Sequence, residues 1–103
     1  MVDVRMTGGT ATVVISGELD FASMPSLAAQ LDQILRDTPQ RLVFDMTRVG
    51  FMDCATARLI AGTARSLPEG RRPVIFSASP LVRRVLKLTG LDDHFDMGTE
   101  PDR

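Results

Sequence analysis

The spacing of apolar residues changes along the chain, and it predicts strands and helices in turn. Residues 11–16, ATVVIS, follow a Gly8-Gly9 turn and have the composition of a strand, with residues 2–6 as a hairpin partner. Residues 17–20 break that strand. A first helix is predicted from Ser23 onward, because the next apolar positions have helical spacing: Met24, Leu27, Ala28, Leu31, Ile34 and Leu35.

The first helix ends before Pro39, since the residue that precedes a proline avoids the α conformation. Residues 42–44 form a continuous apolar run, which is typical of a strand buried on both faces. We expect a connection between that strand and residue 53. Its apolar residues are Met46, Val49, Phe51 and Met52.

Two more helices follow in the pattern. The second has a narrow inner face of small residues, which lets a helix lie close to a sheet; this face comprises Ala57, Ile60, Ala61 and Ala64. A strand is predicted at 73–76, and Ser79-Pro80 begins a third helix that ends at Gly90. The predicted buried side of that helix comprises Leu81, Val82, Val85, Leu86 and Leu88.

Strands that alternate with helices indicate the α/β class. We predict a single domain over residues 1–103, with its core at about 4–97 and a polar, frayed tail at 98–103. Its sheet is mostly parallel, with four to five strands including a short final strand at 95–97. The N-terminal hairpin is antiparallel, and three to four helices pack on the sheet.

Composition excludes several classes of function. The net charge of −1 gives no electrostatic basis for nucleic-acid binding, and the chain has neither Trp nor Tyr for base stacking. No apolar run approaches the roughly 20 residues that span a bilayer, and we find no signal peptide, so we predict a cytoplasmic protein without membrane insertion.

Candidate catalytic groups are few. The single cysteine, Cys54, and the single histidine, His94, are forty residues apart, and nothing marks His94 as a base. The sequence has no metal-ligand spacing and no phosphate-binding glycine-rich loop. We therefore predict a protein that is not an enzyme and that holds no metal and no cofactor.

Three motifs resemble one known family. Gly-Glu-Leu-Asp stands at 17–20, and Ser-Pro with Leu-Thr-Gly-Leu stands at 79–80 and 88–91. Between them, a strand ends at Asp45, a Phe-Met-Asp step follows at 51–53, and small residues open a helix at 54–56. Together these segments resemble the STAS family of bacterial anti-sigma factor antagonists and sulfate-transporter tails. The resemblance covers about residues 4–97 and implies the same α/β fold.

The resemblance also identifies a regulatory position. Family members have Ser-Ser-Gly where this chain has Cys54-Ala55-Thr56, and the first serine is their phosphorylation site. Cys54 has three interpretations: a switch disabled by a near-isosteric replacement, a redox-active thiol, or a buried inert residue. Helix N-termini favour thiolate chemistry, which the neighbouring Asp53 opposes by charge repulsion. Phosphorylation at the hydroxyl of Thr56, two residues after the family's phosphorylated position, is left as an alternative.

The resemblance implies a surface for a partner kinase, made by the loop at 17–21 and the helix start at 53–58. Two of its acidic residues have structural alternatives, since Asp20 suits a turn and Asp53 suits a helix N-cap. The predicted contact residues are Glu18, Asp20, Phe21, Asp53, Cys54, Ala55, Thr56 and Arg58.

The function implied is that of an anti-sigma factor antagonist. It would bind an anti-sigma factor, a serine kinase of the histidine-kinase-like ATPase fold, and so regulate transcription that depends on a sigma factor. An accessory STAS subunit of an ABC-type lipid transport complex is the alternative, and a thiol-based sensor is a third class. A homodimer is left open.

Overall fold

The computed structural model describes residues 2–98 and contains one five-stranded sheet with the strands in sequence order. The first two strands are antiparallel, and every other neighbouring pair is parallel. This architecture confirms the predicted fold class. The strands are β1 (Val2–Thr7), β2 (Thr10–Leu19), β3 (Arg41–Met52), β4 (Val74–Phe76) and β5 (Asp96–Gly98).

The helices cover one face of the sheet. Their buried side chains belong to the same apolar cluster as alternate residues of the strands, such as Val13 and Ile15 of β2 and Phe44 of β3. Thr12 and Val14 lie on the opposite, more open face, because successive side chains of a strand point to opposite faces. The helices are α1 (Met24–Arg36), α2 (Cys54–Ala61) and α3 (Pro80–Leu88), with 3₁₀ turns at Gly62–Ser66 and Asp92–His94.

The hairpin between β1 and β2 has a two-residue turn. Gly8 and Gly9 both have positive φ angles, 55° and 85°, as a type I′ turn requires at both central positions. Thr7 and Thr10 are the pair that closes the turn. The predicted hairpin is confirmed, and this turn fixes which backbone groups of β1 point away from β2.

Both central strands are longer than predicted. The break expected at 17–20 is wrong, because β2 continues to Leu19, with a positive φ of 99° at Gly17. The connection expected after residue 44 is also wrong. It is a continuation of β3 that contains two extra residues relative to β2, one between Asp45 and Arg48 and one between Val49 and Phe51.

These two bulges explain why the apolar pattern did not predict that β3 continues to Met52. Each bulge puts two successive residues on the solvent side, so the buried residues Met46, Val49 and Met52 recur every third position. A regular strand repeats every second residue. The period of three removed the alternation by which a strand is recognised.

Two helices differ from their predicted inner faces. The structure buries Val82 and Leu86 of α3 but leaves Leu81 and Leu88 exposed by 43% and 79%. These two leucines are about 20° apart around the helix, on a face turned away from the sheet. After α2 the chain tightens into the 3₁₀ turn, so Thr63 is buried where Ala64 was expected.

The end of the chain is described only in part. The short final strand is present, and it includes Gly98, which the prediction assigned to the tail. Residues 99–103 of the predicted tail lie outside the described residues. Within residues 2–98, no helix combines the length and the apolar character that crossing a bilayer requires.

Candidate functional site

The two segments predicted to form the partner surface meet at the carboxyl ends of β2 and β3. β2 and β3 run parallel, so their carboxyl ends lie side by side, with Glu18 opposite Phe51 and Leu19 opposite Met52. The backbone N–H of Asp53 donates a hydrogen bond of 2.9 Å to the carbonyl of Leu19. This bond joins the start of α2 directly to the end of β2.

The turn after β2 is held by reciprocal side-chain hydrogen bonds. Oδ1 of Asp20 accepts from the backbone N–H groups of Ala22 at 3.0 Å and Ser23 at 3.2 Å. In return, Oγ of Ser23 accepts from the backbone N–H of Asp20 at 3.0 Å. The structural role expected for Asp20 is therefore confirmed. Its contact with a partner stays a prediction.

This turn presents an aromatic side chain to solvent. Phe21 is 76% exposed, although it lies between residues whose backbone is fixed by Asp20 and Ser23. A large aromatic group on an ordered turn loses little conformational freedom when it binds. Such groups are enriched among the residues that dominate the energy of protein interfaces. The geometry is suited to protein binding.

Asp53 is the N-cap of α2. Its backbone is extended, with φ −86° and ψ 171°, and its Oδ1 accepts from the backbone N–H of Thr56 at 2.8 Å. A carboxylate here satisfies one free N–H of the first turn and is stabilised by the helix dipole. The predicted N-cap is confirmed.

Cys54 is the first residue of α2, and its side chain is exposed. The interpretation as a buried inert thiol is therefore wrong. The physical reason is helix geometry, since Cys54 is about 200° around the helix from Thr56, which faces the core. Ala55 and Arg58 are exposed as well, and Arg58 lies one turn after Cys54 on the same side.

Thr56 is completely buried, at 0% exposure. A kinase cannot reach its hydroxyl unless α2 opens, so the displaced phosphorylation site at Thr56 is not compatible with this fold. Its Oγ1 has no hydrogen-bond partner. A buried hydroxyl without a partner costs about 1–3 kcal/mol. Thr56 therefore lowers the stability of the helix on which the site depends.

We expect Thr56→Val to raise the free energy of unfolding by about 1 kcal/mol, because valine keeps the shape and removes the unpaired hydroxyl. Thr63 provides the matched control. It is also buried, but its Oγ1 donates to the carbonyl of Ile60 at 2.6 Å, so Thr63→Val should lower stability by about 1 kcal/mol. Urea unfolding midpoints measure both effects. Equal losses in the two variants would contradict the assignment.

One exposed residue at the end of β3 was not among the predicted contact residues. Phe51 is 39% exposed and lies opposite Glu18 at the end of the ladder between β2 and β3. It was counted among the apolar residues of a connection, where burial is the usual expectation. The signal that could have identified it is Gly50, because a glycine within a strand often marks a bulge that redirects the next side chain.

The exposed groups at the carboxyl ends of β2 and β3 include both apolar and charged side chains. We call them the strand-end surface, which comprises Glu18, Phe21, Phe51, Cys54, Ala55 and Arg58. Asp20 and Asp53 add partly exposed carboxylates beside it. Within residues 2–98, no group of three or more His, Cys, Asp or Glu side chains is arranged to hold a metal ion. The arrangement is chemically suited to contacting another protein.

Comparison with known proteins identifies relatives that are named anti-sigma factor antagonists. The model of the STAS domain matches residues 1–102. An anti-sigma-B factor antagonist of Staphylococcus aureus (strain NCTC 8325) is 30% identical over 91 residues, which cover 85% of this chain and 84% of the relative. The anti-sigma-F factor antagonist RsfB of Mycobacterium tuberculosis (strain H37Rv) is 27% identical over 94 residues, which cover 91% of this chain and 77% of that protein.

Solved structures give the same result. An anti-sigma factor antagonist from Mycobacterium paratuberculosis superposes with a TM-score of 0.86 at 28% identity, over 97% of this chain and 86% of the other. The anti-sigma factor antagonist SpoIIAA in its unphosphorylated form superposes with a TM-score of 0.80 at 25% identity, over 97% of this chain and 90% of its own.

Proposed function

Because this chain belongs to the STAS domain family, we propose that it is an anti-sigma factor antagonist. It binds an anti-sigma factor in the cytoplasm and thereby regulates transcription that depends on a sigma factor. The relatives in Staphylococcus aureus and Mycobacterium tuberculosis bear that name, and this chain aligns with most of their length. The protein acts by binding and has no catalytic step of its own.

One observation supports this function above the others. The hydrogen bond between the Asp53 N–H and the Leu19 carbonyl joins the two predicted contact segments into the strand-end surface. Exposed Phe21 supplies an anchor at one side of it, and exposed Cys54 and Arg58 supply a helix face at the other. A surface whose two segments are already joined by a hydrogen bond needs little reorganisation on binding.

We further propose that the partner is an anti-sigma factor of the serine kinase type and that phosphorylation does not switch this protein off. The position of the family's phosphoacceptor serine is occupied by exposed Cys54. A thiol does not accept a phosphoryl group from a serine kinase in the ordinary way. The antagonist therefore stays competent to bind, and its regulation depends on its abundance or on a different chemical signal.

A thiol-based signal is the second candidate, and it is favoured by the exposure of Cys54 within the proposed contact surface. Exchange of the Cys54 thiolate with the disulfide of a small thiol would form a mixed disulfide at this sulfur and release one equivalent of the small thiol. The added group would lie between the protein and its partner. Oxidation would then release the anti-sigma factor. The accessory role in lipid transport is not favoured by any of the named relatives.

Affinity co-purification from the native host tests the proposed function. Tagged protein is prepared with and without reductant, and its partners are identified by mass spectrometry. We expect an anti-sigma factor in the reduced sample. Loss of the anti-sigma factor from the sample without reductant would support the thiol signal if the same sample of a Cys54→Ala variant retained it. Recovery of a transporter ATPase with no anti-sigma factor would overturn the proposal.

A further inference from the structure

The strand β1 forms one edge of the sheet, and it lacks most of the features that usually prevent edge strands from pairing. It has six residues in an unbroken register with β2, and it contains no proline, no lysine and no bulge. Its residues from Asp3 to Thr7 are all exposed. The opposite edge, β5, has only three residues. A long regular edge offers a row of backbone groups to another strand.

The hairpin turn determines which of those groups are free. In a two-residue turn, the closing pair Thr7 and Thr10 is hydrogen-bonded, and hydrogen-bonded and non-hydrogen-bonded pairs then alternate along an antiparallel ladder. The N–H and C=O groups of Val2, Val4 and Met6 therefore point away from β2. They are the groups that another strand would engage.

The two charged side chains of β1 have opposite signs and are placed symmetrically on either side of Val4. Asp3 and Arg5 lie on the open face, beside Val14 and Thr12 of β2. Within residues 2–98, no ion pair or side-chain hydrogen bond engages either of them. Val4 and Met6 lie on the helix face and are 36% and 45% exposed. The strand thus has an acid and a base at equal distances on either side of Val4.

We propose that β1 pairs antiparallel with β1 of a second copy of this chain, about a two-fold axis through Val4. That axis places the outward backbone groups of the two Val4 residues opposite each other. It also places Asp3 opposite Arg5 of the other copy, twice. These are non-hydrogen-bonded positions of the new ladder, where side chains approach most closely and opposite charges stabilise pairing. The result is a continuous ten-stranded sheet across the dimer.

No other two-fold axis both pairs the outward backbone groups and places Asp3 opposite Arg5 of the other copy. A two-fold axis through Asp3 or Arg5 also pairs outward backbone groups, but it places two like charges directly opposite each other at the axis. An axis through Val2 or Met6 shortens the paired segment. Only the axis through Val4 aligns free backbone groups, opposite charges and apolar neighbours at once.

The dimer leaves the strand-end surface free. Val4 lies beside Val13, well before the end of β2 at Leu19, so the new strand does not reach the turn at Phe21. This pairing does not depend on the proposed function, since it involves β1 alone. One strand per copy buries a small area, so we expect a reversible dimer that forms in the range of about 10 µM to 1 mM.

Charge reversal tests the pairing, with sedimentation equilibrium as the measurement. Asp3→Arg alone and Arg5→Asp alone each turn two attractive pairs into repulsive ones, so self-association should fall about tenfold in each. The double variant Asp3→Arg/Arg5→Asp has the composition of the original chain and restores the opposite charges, so its association should return. An equimolar mixture of the two single variants should associate more strongly than either alone.

Two outcomes would overturn the proposal. One is a monomer for the original chain up to 1 mM, and the other is an association constant that is unchanged in the single variants. Circular dichroism confirms that each variant is folded; the exposure of both residues favours this. Hydrogen exchange adds a second readout, because the amide of Val4 should become protected as the protein concentration rises, whereas an interface elsewhere leaves that amide unprotected.

Discussion

Replacing Phe21 with alanine is expected to weaken binding of the anti-sigma factor by about 30-fold, corresponding to about 2 kcal/mol. The side chain is 76% exposed in the free protein, so binding can remove a large apolar area from water. Its turn is already held by Asp20 and Ser23, so little order has to be gained. Isothermal titration calorimetry with the purified partner measures the effect.

Leu88→Ala is the matched control. Leu88 is 79% exposed, as exposed as Phe21, but it lies at the end of α3 rather than at the strand-end surface. Its replacement should leave the affinity unchanged. Neither variant should change the free energy of unfolding by more than about 0.5 kcal/mol. If Leu88→Ala weakened binding while Phe21→Ala did not, the partner surface would lie on α3 and the proposed surface would be wrong.

Cys54→Ser is expected to convert the protein into a substrate of the partner kinase. The original chain should remain unmodified by kinase and ATP, whereas the serine variant should gain one phosphoryl group. Cys54 is exposed at the first position of α2, so serine introduces a hydroxyl at an accessible place without disturbing the core. The phosphate adds a charge of about −2 beside Asp53, which should weaken binding by about tenfold or more. Intact mass spectrometry detects the product.

Cys54→Ala removes the thiol without introducing a hydroxyl. It therefore separates the effect of the serine hydroxyl from the effect of losing the thiol. It should bind the anti-sigma factor as the original chain does and should not be phosphorylated. Phosphorylation of the original chain would show that another residue is the acceptor. A serine variant that binds the kinase but is never modified would contradict the idea that Cys54 alone disables the switch.

Local sequence signals predicted those parts of the fold that depend on neighbouring residues. The Gly8-Gly9 turn implied the hairpin, and Asp53 implied an N-cap, because each acts through backbone groups within a few residues. Helical spacing located α1 for the same reason. These features could be predicted since their physical cause is contained in the segment itself.

Features set by tertiary contacts could not be predicted in the same way. The length of β3 depends on its pairing with β2, which supports two bulges that the period of its apolar residues conceals. The exposure of Leu81 and Leu88 depends on which side of α3 faces the sheet. Both required knowledge of what lies beside the element.

The two segments of the candidate site were predicted from the sequence, but the contact between them was not. Sequence motifs identified the segments at 17–21 and 53–58, but the contact between them arises from the parallel pairing of β2 and β3. The burial of Thr56 and the exposure of Cys54 follow from the orientation of α2, which the spacing of Ala57 and Ile60 already implied. Phe51 joined the site only because β3 continues to the same edge.

The hydrogen bond from Asp53 to Leu19 links the availability of the surface to local unfolding of the sheet. If the ladder between β2 and β3 frays from its carboxyl end, the turn at Phe21 and the start of α2 separate before the core opens. A partner that spans both segments binds only molecules in which that end is closed. Its apparent affinity therefore scales with the closed fraction, and its binding protects the end of the sheet from fraying.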